Sequence, residues 1–188
     1  MTASFPKPLI QAVLLGAFAL ALTLSAQANE AGKMLYSSCA TCHGANGEGM
    51  PALKSPAIGG MNSDYLERQL KHFKSGLRGS AEGDTSGAQM RARVATLTSD
   101  QAISDVSAYI TDLPKSSQAP ALAGGDIRNG NNLYQGNCGA CHGNKGEGNP
   151  LLHAPRLADQ DANYLIAQFN NFRDGKRGTH SDDRYGRQ

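Results

Sequence analysis

The sequence predicts an all-α protein that consists of two small helical domains in tandem. The chain of 188 residues repeats one pentapeptide, because the CATCH sequence at 39–43 returns as CGACH at 138–142, 99 residues further on. Apolar residues in both halves recur every three or four positions, as on one face of a helix, and no stretch alternates as a strand would. The chain has no Trp and only 6% aromatic residues, so each half can bury only a thin core of its own.

The first 28 residues are predicted to be an export signal rather than part of the fold. Lys7 supplies a positive charge, the stretch from Ala12 to Leu24 is uncharged and mostly apolar, and Ala26 to Ala28 forms a small-x-small cleavage site. The apolar run is shorter than the roughly 20 residues that span a bilayer. We therefore expect cleavage after Ala28 and a periplasmic protein, with an uncleaved membrane anchor as the alternative.

The repeat predicts how the remaining chain is divided. A first domain is expected at 29–113, a linker at 114–125 and a second domain at 126–188. The linker is rich in Pro, Ala, Gly and Ser and has no periodicity. Upstream of the pentapeptides the spacing is 98 rather than 99, since Gly32 and Tyr36 pair with Gly130 and Tyr134. One residue has therefore been gained or lost beside the motif.

Each domain is predicted to begin with a helix that runs into the pentapeptide, followed by a Gly- and Pro-rich loop at 44–61 or 143–160. An amphipathic helix comes next, and its apolar stripe is expected in the core. The stripe consists of Tyr65, Leu66, Leu70 and Phe73 in the first domain and of Tyr164, Leu165, Phe169 and Phe172 in the second. A closing helix is predicted in the first domain alone, where Thr98 and Gln101 form a capping-box pattern ahead of Ile103, Val106, Tyr109 and Ile110.

The charge balance excludes one class of partner. The chain carries 18 basic and 16 acidic residues, which leaves a formal charge of +2. Such a charge is too weak and too dispersed for nucleic acid or an anionic membrane surface to be the main partner.

The pentapeptide indicates covalent haem attachment. On a helical turn its two Cys lie three residues apart on one face, and the His lies on that face too. Two thiols so placed can add to the two vinyl groups of a haem while the adjacent imidazole binds the iron. The alternatives are a thioredoxin-like dithiol, a structural disulfide and a zinc site. The first would need a βαβ setting, and a zinc ribbon would need its Cys pairs within about 15 to 20 residues.

Two covalently bound haem c groups are therefore predicted, and each would fill the centre of one domain. The predicted tethers are Cys39, Cys42, Cys138 and Cys141, and the predicted iron ligands are His43 and His142. A backbone carbonyl is expected to hold the other nitrogen of each imidazole, as such supporting partners usually do. Gly44, Gly47 and Gly49 and their copies are expected to let the backbone pass close to the ring.

With these motifs the chain resembles the dihaem class I c-type cytochromes of the cytochrome c4 family. The resemblance covers nearly all of 29–188 and rests on the paired pentapeptides, on Gly32 and Tyr36, and on Met90 followed by 97–103 and 108–110. It implies two tandem class I cytochrome c domains, each a few helices around a haem. It also implies that the closing helix crosses the first one, with Tyr109 against Gly32 and Tyr36.

The resemblance implies electron transfer in the bacterial periplasm. The expected donor is a quinol-oxidising membrane complex, and the expected acceptor is a terminal oxidase or reductase. No catalytic residue is predicted. The alternatives are a dihaem enzyme of the peroxidase or thiosulfate-oxidising type with an open second haem, and a membrane-tethered module of a larger complex.

The sixth iron ligand of the first haem is predicted to be Met90, because it matches the ligand of the family. Met61 is the alternative, although it has no Met counterpart in the repeat, and Met34 is expected in the core. A thioether in this position favours ferrous iron and closes the site.

The second domain lacks a counterpart of Met90, which would fall just after Gln188, and a counterpart of the closing helix. The expectation is an incomplete sequence. The alternative is a second haem that is five-coordinate or takes a substitute ligand, for which His153 and His180 are the candidates.

Basic residues near the end of the second helix of each domain are interpreted as solvated, or as a surface that attracts an acidic redox partner. They are Lys71, Lys74 and Arg78, with Arg173, Lys176 and Arg177 in the copy. His72, between two of these lysines, is predicted to be a surface residue.

Overall fold

The computed structural model describes residues 29–116 and 124–187, and in this part of the chain every regular element is a helix. Residues 29–43 form α1. The remaining helices are α2 (Ser63–Ser75), α3 (Thr85–Val94), α4 (Asp100–Asp112), α5 (Ile127–Asn137), α6 (Gly139–His142) and α7 (Ala162–Arg173). The all-α prediction is confirmed. The proposed export signal and residues 117–123 of the proposed linker lie outside the described residues.

The core of the first domain forms where α2 and α4 pack together, with Ile103 of α4 completely buried. Asn62 caps the start of α2 by accepting a hydrogen bond from the Tyr65 amide, and Gly76 ends the helix with a φ of 84°. The predicted cap of α4 was one residue off. Ser99, and not Thr98, accepts the hydrogen bond of a first-turn amide.

Helix α4 crosses α1 at a glycine. A Cβ atom on Gly32 would lie 2.7 Å from the Cβ of Tyr109 and would also strike the Asp105 carbonyl oxygen. The rings of Tyr36 and Tyr109 stand 5.4 Å apart. The predicted contact of the closing helix with the first helix is therefore present.

Helix α3 was not predicted, although it carries Met90. Its buried residues are Gly87 and Val94, so it presents no apolar stripe at helical spacing. The Asp84 side chain caps it by accepting a hydrogen bond from the Gly87 amide at 3.0 Å. Met90 consequently lies on a capped helix and not in a loop.

The first helix of the second domain is interrupted beside its pentapeptide. Helix α5 ends at Asn137, Cys138 caps it, and α6 begins one residue later. Four positions separate Tyr134 from Cys138, whereas three separate Tyr36 from Cys39. The extra residue that changes the repeat spacing from 98 to 99 is thus accommodated where α5 and α6 meet.

Between residues 124 and 187 no helix takes the place that α4 has in the first domain. A Cβ atom on Gly130, the counterpart of Gly32, would meet nothing within 4 Å. Ile127 and Leu133 on α5 and Phe169 on α7 are exposed. Phe169 and Phe172, both expected in the core, are exposed because no element among the described residues packs over them, and both side chains line the cavity described below.

The two domains meet at an interface, here called the seam, whose contacts follow the internal repeat. Its central residues are three equivalent pairs, namely Tyr65 and Tyr164, Gln69 and Gln168, and Arg78 and Arg177. Arg78 donates to the tyrosine of the other domain at 3.3 Å and to its glutamine at 3.0 Å. Arg177 does the same in the opposite direction, at 3.4 and 3.1 Å. The central seam therefore has an approximate twofold relation.

The edge of the seam does not follow that relation. Gln160, at the position of Met61, accepts a hydrogen bond from the Ala57 amide at 3.0 Å and donates one to the Ala57 carbonyl. Arg156 donates to the Gly59 carbonyl at 3.0 Å. These residues of the second domain thus hold the loop that follows the first pentapeptide.

Three residues that were interpreted as surface groups, His72, Arg78 and Arg177, lie in the seam instead. His72 and Arg78 are only 9% and 8% exposed, whereas Lys71 and Lys74 are exposed as expected. The interpretation failed because the polar side of α2 faces the second domain and not water. No helix among the described residues is long and apolar enough to cross a membrane.

Candidate haem sites

The imidazole of His43 is fixed at the end of α1. Its Nδ1 lies 3.0 Å from the carbonyl oxygen of Pro56, and in the repeat the Nδ1 of His142 lies 2.9 Å from the carbonyl oxygen of Pro155. A ring that donates through Nδ1 leaves the lone pair of Nε2 free to bind a metal. Burial lowers the pKa of His43, which keeps the ring neutral. The predicted carbonyl partners are therefore present in both domains.

Glycines allow the loop after each histidine to fold back on itself. Gly47 and Gly49 have φ values of 71° and 84°, in the left-handed region. A Cβ atom on Gly49 would lie 2.6 Å from the Ala57 amide nitrogen. The Gly49 amide also donates to the His43 carbonyl at 2.8 Å. The close approach seen here is between two stretches of loop, and it brings Pro56 to the imidazole.

All four cysteines have free thiols, so the disulfide alternative is not supported. Burial raises the pKa of Cys39. Because the thiolate is the nucleophilic form, the protonated Cys39 thiol is a weak nucleophile. No three His, Cys, Asp or Glu side chains cluster as metal ligands within the described ranges. A zinc site built from both pentapeptides therefore finds no support either.

Both pentapeptides open on one cavity of about 1410 Å³ that runs across the two domains. Cavities for a single ligand are typically about 300–1,000 Å³, so this one has room for more than one large group. Its wall includes Cys39, Cys42, His43, Cys138 and His142, together with Leu70, Phe73, Val106 and Phe172. Free thiols, a neutral imidazole and apolar walls are what a covalently bound haem needs, so the residues present fit two haem groups.

Two methionines reach the cavity in the first domain. Met61 is buried in the core, and Met90 on α3 is half-buried against it. The choice of Met90 as the iron ligand stays a prediction, with Met61 as its competitor. Met34 is 71% exposed, so its expected place in the core is wrong. It lies two residues from both Gly32 and Tyr36 on α1, and therefore off the face that packs against α4.

Residues 124–187, the described part of the second domain, contain no Met and therefore offer the cavity no thioether. His153 lines the cavity, with its ring 4.3 Å from the ring of Tyr185. His180 is exposed, and its Nδ1 accepts a hydrogen bond from the Asp182 amide at 3.1 Å. Of the two predicted substitute ligands, only His153 therefore lies at the cavity.

Two such sites in a tandem helical fold define the class of the protein as a dihaem c-type cytochrome. The family model described as cytochrome c matches residues 29–114 and again 127–187. The chain belongs to the cytochrome c family, and its two-domain arrangement is that of cytochrome c4.

Two relatives illustrate that placement. Cytochrome c4 of Azotobacter vinelandii is 33% identical over 167 residues, which cover 81% of this chain and 76% of the relative. The thiosulfate dehydrogenase electron acceptor of Stutzerimonas stutzeri is 32% identical over an alignment that covers 92% of this chain and 84% of the relative.

Solved structures agree. Reduced cytochrome c4 from Pseudomonas stutzeri superposes with a TM-score of 0.65 at 31% identity, over 84% of this chain and 86% of that one. The thiosulfate dehydrogenase TsdBA from Marichromatium purpuratum gives a TM-score of 0.68 at 30% identity over 79% of this chain. The chain spans about a third of that longer protein, or 34%. The fold and cofactor class are thus those of a dihaem electron-transfer protein.

Proposed function

We propose that the protein is an exported, periplasmic carrier that takes electrons from a quinol-oxidising membrane complex and delivers them to a terminal oxidase or reductase. The bound haems supply iron that changes between the ferric and ferrous states. In this proposal Cys39 and Cys42 tether one haem, and Cys138 and Cys141 tether the other. The observation that carries the proposal is the pair of imidazoles, each held by a prolyl carbonyl at 3.0 or 2.9 Å, on one shared cavity.

In this proposal each predicted site residue has one role. His43 and His142 would hold the iron through Nε2, and Met90 would complete the first site with a thioether, which favours ferrous iron and would leave no position for a substrate. No residue is assigned to catalysis. In the first domain the buried Leu70, Phe73 and Val106 line the cavity and would keep water from the iron, which would limit the solvent rearrangement that accompanies a change of iron charge.

A thiosulfate-oxidising enzyme is a second candidate donor. A relative that aligns with 92% of this chain at 32% identity is named as the electron acceptor of thiosulfate dehydrogenase. Lys71, Lys74 and Arg173 are exposed and therefore remain available to attract an acidic donor of either kind. The alternative hypothesis, a dihaem enzyme, would need an open coordination position on the iron of the second domain.

Intact mass and carbon monoxide binding of the purified protein test the proposal. We expect two haems per chain, a first residue directly after Ala28, and one haem fewer when both cysteines of either pentapeptide are changed to Ser. A carrier with both irons six-coordinate binds almost no carbon monoxide. Stoichiometric binding at one haem, combined with turnover of peroxide or thiosulfate, would instead identify an enzyme.

The two donors are distinguished by stopped-flow reduction. The rate is measured with a quinol-oxidising complex and with a thiosulfate dehydrogenase, each at low and high salt. The physiological donor should reduce the protein much faster than the other, and its rate should fall with salt if charges guide the encounter. Equal, slow and salt-independent rates with both would argue against either donor.

A further inference from the structure

One contact of the seam differs between its two halves in a titratable side chain. His72 on α2 places its Nδ1 3.6 Å from an Asp183 carboxylate oxygen of the second domain. The equivalent contact joins the Asn171 amide to Asp84 at 3.5 Å. Both carboxylates are held in place, because they accept hydrogen bonds from the Gly186 and Gly87 amides at 2.9 and 3.0 Å. The seam therefore contains the same contact twice, once with His and once with Asn.

The second domain covers the His72 imidazole. The side chains of His72 and Asp183 are 11% and 7% exposed, and Nδ1 of the imidazole has no hydrogen-bond partner among the described residues. An unpartnered buried polar atom is uncommon in native structures and calls for a physical explanation. The contact is thus closed to water only while the two domains are docked.

The charged groups around His72 come from both domains. Arg68 on the same helix and Arg78 in the following loop are the cations of the first domain, and the second domain adds Asp183 and Arg177. One carboxylate thus faces three guanidinium groups. A proton added to the imidazole would be attracted by the carboxylate and repelled by the three arginines, in a place with little water to screen them.

We propose that His72 makes the docking of the two domains pH-dependent, so that mild acid loosens the seam. The proposal concerns the arrangement of the domains and does not depend on which proteins donate or accept the electrons.

The direction follows from proton linkage. Burial, aided by the arginines, lowers the pKa of His72 below 6.5, and Asp183 only partly offsets this effect. In the undocked state the imidazole is exposed to water and regains its ordinary pKa of about 6.5. The undocked state therefore binds more protons in the range between the two pKa values. Docking is fully favoured above the ordinary pKa and weakens as the pH falls below it.

The experiment uses the purified dihaem protein between about pH 7.5 and about pH 5.5, where an ordinary histidine titrates and most carboxylates do not. Small-angle X-ray scattering reports the radius of gyration. Hydrogen exchange of the Ala57 amide, which donates across the seam to Gln160, reports docking at one residue once the rates are corrected for the intrinsic effect of pH. We expect a larger radius and lower protection at the acidic end. A single proton limits the change in the docking constant to about tenfold per pH unit.

Two reciprocal variants isolate the histidine. The His72→Asn variant copies the Asn171 contact and should stay docked throughout the range. The Asn171→His variant places a second imidazole opposite Asp84 and should steepen the pH dependence. His153 and His180 are unchanged in both variants and serve as internal controls.

The proposal is overturned if the unmodified protein has the same radius and the same Ala57 protection at both pH values, or if acid tightens the seam. It is also overturned if the His72→Asn variant loosens with acid as much as the unmodified protein. Should that variant fail to fold, the Asn171→His variant decides alone, because an unchanged pH dependence of docking in this variant contradicts the proposal. None of these results depends on electron transfer, so they can be told apart from a failure of the proposed function.

Discussion

At the scale of single residues, the imidazoles show how a short loop prepares a ligand. A prolyl carbonyl holds Nδ1 of His43, and that carbonyl is in place only because Gly49 lets the loop fold back on itself. The sequence predicted that a backbone carbonyl would hold the imidazole, but it did not predict that this carbonyl belongs to Pro56. The spacing of 13 residues between His43 and Pro56 matches no secondary-structure period. The cysteines and histidines were easier to predict, because their spacing is local to one helical turn.

Replacing Gly49 with Ala tests the role of this loop. Gly49 and Gly76 both have a φ of 84°, so an alanine at either position carries a conformational penalty of about 1–2 kcal/mol. A Cβ at Gly49 would also lie 2.6 Å from the Ala57 amide nitrogen, whereas the nearest atom to one at Gly76 is an Arg91 side-chain nitrogen at 3.5 Å. Thermal unfolding should therefore show a clearly larger loss of stability for Gly49→Ala than for Gly76→Ala. Equal losses would mean that the loop adjusts freely.

The first iron offers a second test at this scale. The Met90→Ala variant should lower the midpoint potential of one haem and allow it to bind carbon monoxide, because a thioether ligand raises the potential and closes the site. The matched variant Met61→Leu keeps an apolar side chain of similar volume in the core and should change neither property. If Met61→Leu opens the site and Met90→Ala does not, the ligand is Met61.

At the scale of elements, the two domains place the same helices in different surroundings. Gly32 lies under α4, and its counterpart Gly130 has nothing within 4 Å. The periodic helices α2 and α4 could be predicted from sequence, because their apolar stripes face the core. Helix α3 could not, since it is held by the Asp84 cap and presents no stripe. The interruption at Cys138 could be inferred only as a change in repeat spacing.

Alanine at the two glycines should have opposite effects. In Gly32→Ala the new methyl group meets Tyr109 and the backbone of α4. We therefore expect overpacking to lower the free energy of unfolding by about 1–3 kcal/mol. In Gly130→Ala the methyl group meets no neighbour, and the better helix propensity of Ala should add about 0.5–1 kcal/mol. Denaturant unfolding of the two variants gives the comparison. A destabilised Gly130→Ala protein would show that some element does cover this face of α5.

At the scale of the whole molecule, the seam decides which surface residues are buried. His72 and Arg78 look like solvated positions in the sequence because nothing local indicates that a second domain covers them. Their burial depends on contacts between residues about 90 to 110 positions apart, such as Arg78 with Gln168 and Arg177 with Gln69. Each seam arginine also stands over a phenylalanine of its own domain, with 4.5 Å from guanidinium to ring centre in both cases. Contacts within its own domain thus help to fix each guanidinium group in the seam.

The approximate symmetry predicts that the two arginines are equivalent in docking. Arg78→Met and Arg177→Met should each cost about 1–3 kcal/mol of docking free energy, because each removes two hydrogen bonds across the seam and leaves one part-buried tyrosine hydroxyl without its partner. The matched variant Arg173→Met removes an arginine whose side chain is 63% exposed and which pairs with Asp174 beside it, so it should change docking by less than about 0.5 kcal/mol. Scattering and exchange of the Ala57 amide provide the measurement. A loss confined to one of the two seam arginines would contradict the equivalence.

The approximate twofold relation of the seam has one more consequence, which concerns how such a molecule can vary. Contacts in which one surface meets its own copy are those of an isologous dimer, where every substitution occurs twice and must be tolerated on both sides of the axis. In a single chain each half can change alone. Histidine can then face one aspartate while asparagine faces the other, and Gln160 and Arg156 can hold a loop whose equivalent in the second domain they do not touch. Joining two copies in one polypeptide thus gives each half of the interface its own evolutionary freedom.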